Sequence, residues 1–322
     1  MYSIGVLKHL GCEIDSIVDF LKTSYPENES ILVGCRAGPG IPYDCCEYDI
    51  IVLNANGERH NAEKKDKKKY GFYQLANNKL EIFFLNKESF FQNKNVDFLN
   101  YVSLTDSALK SNVDALFERK KCYNQKNIGI LTKRKAMQFA LGCTKITKQM
   151  LRNAFNSNLG SIYLKIMSFS LLELLIQLFD NEIPKPAHLK YQMNSLKEKN
   201  VKTKEHVDTL SEYLELDRSN VSTIRRSEKS LSFLLKHSKR HSHEVELFET
   251  KVNFFKEKSM YVDANLLVQS YMKRHISDEN YIINYSKIMN HILDIQIKEK
   301  TILLKEMEVL FNINKSIVKN NY

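Results

Sequence analysis

The chain has 322 residues, 43% of them hydrophobic, and a net charge of +10 from 48 basic and 38 acidic side chains. That length and apolar content suffice for about two domains with buried cores and exclude a disordered tail. Ten glycines, five prolines and no tryptophan leave too few turns for an all-β sandwich or barrel.

Taken in chain order, residues 3–24 place Ile14, Ile17, Val18 and Leu21 at helical spacing. The helix is expected to end near Tyr25-Pro26, because the residue before a proline avoids the helical region. Two short apolar, β-branched runs follow, 31–33 and 48–53, and read as buried strands. The polar stretch 54–69 reads as a loop. Segments 70–76 and 79–85 flank Asn77-Asn78, a two-residue hairpin turn by its composition.

Beyond residue 104 the alternating pattern gives way to helical spacing. Thr105 is the expected cap of a helix over 104–122 carrying Leu109, Val113, Leu116 and Phe117 on one face. The stretch 162–179 is the most apolar helix and the expected core of the second half. Lys165 and Glu173 interrupt it, so no membrane partner is expected. Residues 281–311 read as one long bundle helix or an oligomer seam. The fold class is therefore α+β: a small mixed sheet with flanking helices over 1–103, then an all-helical domain over 104–322.

Charge is uneven. Residues 1–60 hold four basic and nine acidic side chains, whereas 61–200 hold 24 basic and 12 acidic. A nucleic-acid partner acting through basic residues 61–200 is one expectation, and a lysine-rich solvated surface is the other. Six cysteines without a C-x-x-C pair, behind an N-terminus lacking a secretory pattern, fit free thiols and a cytoplasmic location.

The chemistry-bearing stretch is 31–53: a strand, Gly34-Cys35, a glycine-rich loop, then Glu47-Tyr48-Asp49 opening the next strand. Side chains two residues apart on a strand share a face. Two adjacent carboxylates raise each other's pKa unless a cation neutralises them, and hard oxygen donors suit Mg²⁺. A polar strand edge would carry the same two acids. The Gly-Cys pair, the eleven-residue spacer and the Glu-x-Asp pair resemble the motif of the nucleotidyltransferase superfamily of the DNA polymerase β type, which includes the aminoglycoside nucleotidyltransferases.

The resemblance implies a nucleotidyltransferase-like sheet, with Gly34 and Cys35 at nucleotide phosphates and Glu47 and Asp49 holding two Mg²⁺ ions. It also implies a third carboxylate from a later strand, for which Glu81 is the match, both as metal ligand and as the group that helps deprotonate the acceptor. Lys190-Tyr191 stands where some members with a helical C-terminal domain carry a Lys-Trp pair, and Lys190 is the candidate for nucleotide contact. The implied activity is transfer of a nucleoside monophosphate from an NTP to an acceptor hydroxyl. The chain departs from the family pattern in having Cys35 for serine and Glu47 for aspartate. Those departures motivate the alternative, a catalytically degenerate module that binds nucleic acid or protein.

The dinucleotide and P-loop glycine signatures are absent. His237 and His241 have i, i+4 spacing but lack companion ligands and read as a solvated basic face. Asp44 is a further carboxylate near the pair.

Overall fold

The structure is a computed structural model that describes residues 3–37, 43–54, 70–75, 78–86, 102–104, 115, 133–152, 156–179, 184–237, 242–276 and 279–320. The chain divides into two compact units, Met1–Ile128 and Gly129–Tyr322. The expected loop over 54–69, the Gly38-Pro39-Gly40 turn, His241 and nearly all of the helix over 104–122 lie outside the described residues.

The first unit begins with helix α1 (Ser3–Ser24). Ile14, Ile17 and Leu21 fall on one face by their spacing and are buried. Burying each such side chain contributes about 1.5–3 kcal/mol. The helix stops where expected, before Pro26. Strands β1 (Glu29–Val33), β2 (Tyr48–Asn54), β3 (Tyr70–Leu75), β4 (Asn78–Asn86) and the two-residue β5 (Val102–Ser103) form one sheet in the order β3-β4-β2-β1-β5. Every pairing is antiparallel except β2 with β4, which is parallel.

Asn78 is not a turn residue as expected but belongs to β4, where it pairs with Leu75; Asn77 lies outside the described residues. The short β5 has no sequence signature, since two residues carry no periodicity. It is held by pairing to β1 and by the Leu104 amide donating to the Ser30 carbonyl at 2.9 Å.

Period-two alternation sends the strand side chains to two faces. Tyr48, Ile50, Val52, Leu80 and Ile82 join the α1 side chains in one core. Ile31, Val33, Ile51 and Leu53, with Phe83 and Leu85 against them, make a second apolar layer on the opposite face. Glu81 lies on the side of β4 away from the Leu80 and Ile82 core, as its place in the alternation predicts, and next to Glu47 and Asp49; Phe83 and Leu85 continue that side as the second apolar layer.

The second unit is helical among its described residues: α2 (133–150), α3 (Ser157–Phe179), α4 (Leu189–Lys199), α5 (Val201–Tyr213), α6 (Val221–His237), α7 (Ser242–Glu257), α8 (Tyr261–His275), α9 (Glu279–Ile292) and α10 (Lys300–Asn320). Length and composition alone would let α3 cross a membrane. It sits instead at the centre of the largest core, with Leu171, Leu172, Leu175 and Ile176 fully enclosed. Asn200 and Asn220 cap α5 and α6, their side-chain oxygens accepting from Thr203 N (2.9 Å) and from Ser222 N (2.9 Å) and Thr223 N (3.1 Å).

The span 281–311 is two helices, not one. Asp294 adopts φ +48°, and the Ile295 amide turns back to the Asn290 carbonyl at 3.0 Å. This is the left-handed helix ending that glycine usually supplies. Here an aspartate adopts it, held by Arg218 and Arg226 on its two carboxylate oxygens.

Asp263 lies buried in the first turn of α8. Desolvation lifts its carboxyl from 3.8 to about 6, against the opposing pull of its own backbone amide and of Lys190. A carboxyl raised in the fold contributes its stability below the unfolded pKa and loses it as pH rises through the folded one. Asp263→Asn is therefore expected to raise the melting temperature at pH 7.5 and to leave it nearly unchanged at pH 4, as differential scanning calorimetry at the two pH values would show.

Candidate metal centre

The site is assembled by the strand directions. Because β1 runs antiparallel to β2, the end of β1 meets the start of β2, and Val33 pairs with Asp49. Because β4 runs parallel to β2, the starts of both strands share one edge of the sheet, and Asp49 pairs with Glu81. Three segments far apart in sequence thus converge at one corner.

Glu47, Asp49 and Glu81 each place a carboxylate oxygen there, all within 4.8 Å of one another, and all three residues are half-buried. Glu47 lies one residue before β2 rather than on it. Asp44 is exposed and outside the group.

Gly34 is the first residue past β1, with φ +74°. A Cβ placed on it would stand 2.0 Å from Oδ2 of Asp49. The sequence had marked Gly34 as a place where a ligand comes close to the backbone; what packs against its Cα is the Asp49 carboxylate. Both the left-handed backbone and the contact require glycine. Gly34→Ala is therefore expected to push Asp49 out of the group and weaken divalent-cation binding at least ten-fold by isothermal titration calorimetry.

Cys35 opens a 3₁₀ turn, Cys35–Ala37, and is half-buried and outside any disulfide. Cys45, Cys46 and Cys143 are also outside any disulfide. Burial pushes the Cys143 thiol up to about 12, so it is inert at neutral pH.

Sequence reasoning missed Arg36. Its Nε and Nη2 donate to the Cys46 carbonyl at 3.0 and 2.8 Å, and its Nη1 donates to the Tyr48 hydroxyl at 3.3 Å. The guanidinium also lies over the Tyr48 ring, 4.1 Å from its centroid. These contacts clamp the residues on either side of Glu47 and so fix its backbone. An arginine two positions after Gly34, beside an acidic pair, was the available signal.

Lys190, the other candidate for nucleotide contact, sits at the second position of α4 in the helical unit, where it acts on Asp263.

Three carboxylates this close repel. A pair 4 Å apart costs ~4 kcal/mol at an effective dielectric of 20, and the apolar layer behind them reduces screening. A divalent cation would offset that repulsion. The donor set fits Mg²⁺: it is all oxygen, and the spread of up to 4.8 Å compares with ~4.2 Å between opposed oxygens on one Mg²⁺. A pair of ions ~3.5–4 Å apart also suits the spread. Comparisons with protein-family models, with curated proteins and with solved structures return no match to this chain.

Proposed function

We propose that Met1–Ile128 is a nucleotidyltransferase-like unit and that the protein transfers a nucleoside monophosphate from an NTP to an acceptor hydroxyl. The observation that supports this reading is the meeting of Glu47, Asp49 and Glu81 at one strand edge beside Gly34. The order along the chain is the one the motif requires: glycine turn, Glu-x-Asp, then a lone carboxylate on a later strand.

In this reading Glu47 and Asp49 hold Mg²⁺ beneath the triphosphate, and Glu81 completes the ligand set. Bound Mg²⁺ supplies neutralisation of the charge on the attacking and leaving oxygens. Glu81 accepts the acceptor hydroxyl's proton as its oxygen bonds to the α-phosphorus. The bond between that phosphorus and the bridging oxygen breaks, and pyrophosphate leaves. Arg36 acts indirectly, through the backbone on either side of Glu47. The turn at Gly34-Cys35 is the phosphate-facing element. A cytoplasmic location suits such a protein, given four cysteines outside any disulfide among the described residues.

The test is incubation with each α-labelled NTP and Mg²⁺, with pyrophosphate release measured beside label transfer. Acceptors are a short RNA, an aminoglycoside and the protein itself. Transfer that stops on chelation is expected. Absence of both transfer and Mg-NTP binding would refute the reading.

Cys35 favours the second reading, a degenerate module, because a thiol donates a weaker hydrogen bond than the serine hydroxyl it replaces. Cys35→Ser separates the two. A gain in transfer marks a working site, and no transfer in either form marks the module.

A further inference from the structure

Helices α6 and α7 enclose an open groove of about 660 Å³ in the helical unit. Its basic residues lie outside the 61–200 segment that composition had singled out. On α6, Arg225, Lys229 and Phe233 recur every four residues, so they form one row with steps of about 6 Å along the helix axis. All three are exposed.

The charges divide into two kinds. Lys236 is paired with Glu249 at 3.0 Å and Lys256 with Glu228 at 2.5 Å, so these four cancel. Arg225 and Lys229 form no ion pair among the described residues and leave the groove net positive.

Phe233 is 54% exposed. His237 braces one side of its ring at 3.9 Å between centroids, and the His237 ring is itself held by a 2.8 Å hydrogen bond with the Phe233 carbonyl. The phenyl ring is thus a fixed platform with apolar surface toward solvent. Ser232 also lines the groove. It is 8% exposed, and its hydroxyl has no hydrogen-bond partner among the described residues.

Two uncompensated cations and a braced aromatic in one groove match the needs of a nucleic-acid strand with unstacked bases. Phosphates meet the cations and a base stacks on the ring. A duplex keeps its base faces inside the stack, and a phosphate-bearing surface has no use for the ring. From this we infer that the α6–α7 groove is a binding site for single-stranded nucleic acid. The inference does not depend on the metal centre, and the Asp49→Asn variant should bind the strand as the native protein does.

The test is fluorescence anisotropy with labelled twelve-residue oligouridylate and oligothymidylate over a salt series. Binding that weakens with salt is expected. Phe233→Ala should weaken it roughly ten-fold without altering the salt slope. The Arg225→Gln, Lys229→Gln pair should reduce the slope by about 0.7 for each charge removed. Lys305→Gln, an exposed control on α10, should change nothing beyond a general charge effect smaller than either.

All these positions are exposed, and thermal melts check that each variant is folded. The inference is overturned if neither oligonucleotide binds or if Phe233→Ala binds like the native protein. It is equally overturned if Lys305→Gln weakens binding as much as the pair does. Equal competition by duplex, by polyglutamate or by anionic phosphatidylserine vesicles would also overturn it.

Discussion

Asp49→Asn is expected to abolish nucleotide transfer while leaving the fold in place. Asp49 is central to the site: β1 delivers Gly34 against its carboxylate, and β4 places Glu81 opposite it. Asparagine keeps the shape and removes the charge that would hold the cation in the proposed function. Loss of one electrostatic contact to developing charge costs ~10²–10³-fold in rate, and a residue that anchors the cation should reach the upper end of that range.

Stability should not fall, because removing one of three mutually repelling carboxylates relieves the apo protein. The paired measurement is transfer rate and melting temperature, each with and without Mg²⁺. Native protein should be stabilised by Mg²⁺ and the variant should not. Transfer at the native rate by a folded Asp49→Asn protein would remove Asp49 from the chemistry and with it the proposed function.

The largest loss of stability is expected at Lys165. Its ammonium is buried in the middle of α3, 2.8 Å from Oε2 of Glu215 and 2.6 Å from the Leu293 carbonyl. Burial lowers its pKa, and Glu215 works against that shift. Glu215 lies at the left-handed turn after α5, with φ +53°. Arg218 reaches both Glu215, at 3.6 Å, and Asp294, at 3.2 Å. One network therefore ties the core helix to the corners that end α5 and α9.

Lys165→Met leaves Glu215 buried without its closest cation. Breaking a buried pair from one side costs about 3–5 kcal/mol, or roughly 10 °C in melting temperature for a unit of this size. Lys165→Met with Glu215→Gln removes both charges and should recover a large part of the loss. Chemical denaturation of the two variants decides the matter. An equal loss in both would show that the cost lies in the Leu293 carbonyl or in packing rather than in the stranded carboxylate.

Local patterns carried much of the architecture. The spacing of Ile14, Ile17 and Leu21 and the proline at 26 mark α1 and its end, and β-branched runs mark β1 and β2. The split of 281–311 into α9 and α10 was not legible, because apolar spacing continues across it. The break lies at Asp294, whose left-handed turn is stabilised by Arg218, shortly after α5, and Arg226, on α6, both far away in sequence. Helix α3 passes a composition test for crossing a membrane, and only its enclosure by other helices shows it to be a core element of this unit.

For the candidate metal centre, residue types and short spacings supply the parts: a glycine where a strand ends, Glu47 and Asp49 two residues apart, and a carboxylate in a later apolar strand. Those are properties of residue type and short-range periodicity. Their meeting at one corner depends on the long-range strand pairing. Adjacency of Asp49 and Glu81 requires β4 to pair in parallel with β2 while β3 folds back on the other edge of β4. That arrangement is selected by which strand faces bury together, a long-range free energy that no local pattern encodes. The same holds for Arg36, whose clamp on Cys46 and Tyr48 exists only once the chain has turned back across the sheet end.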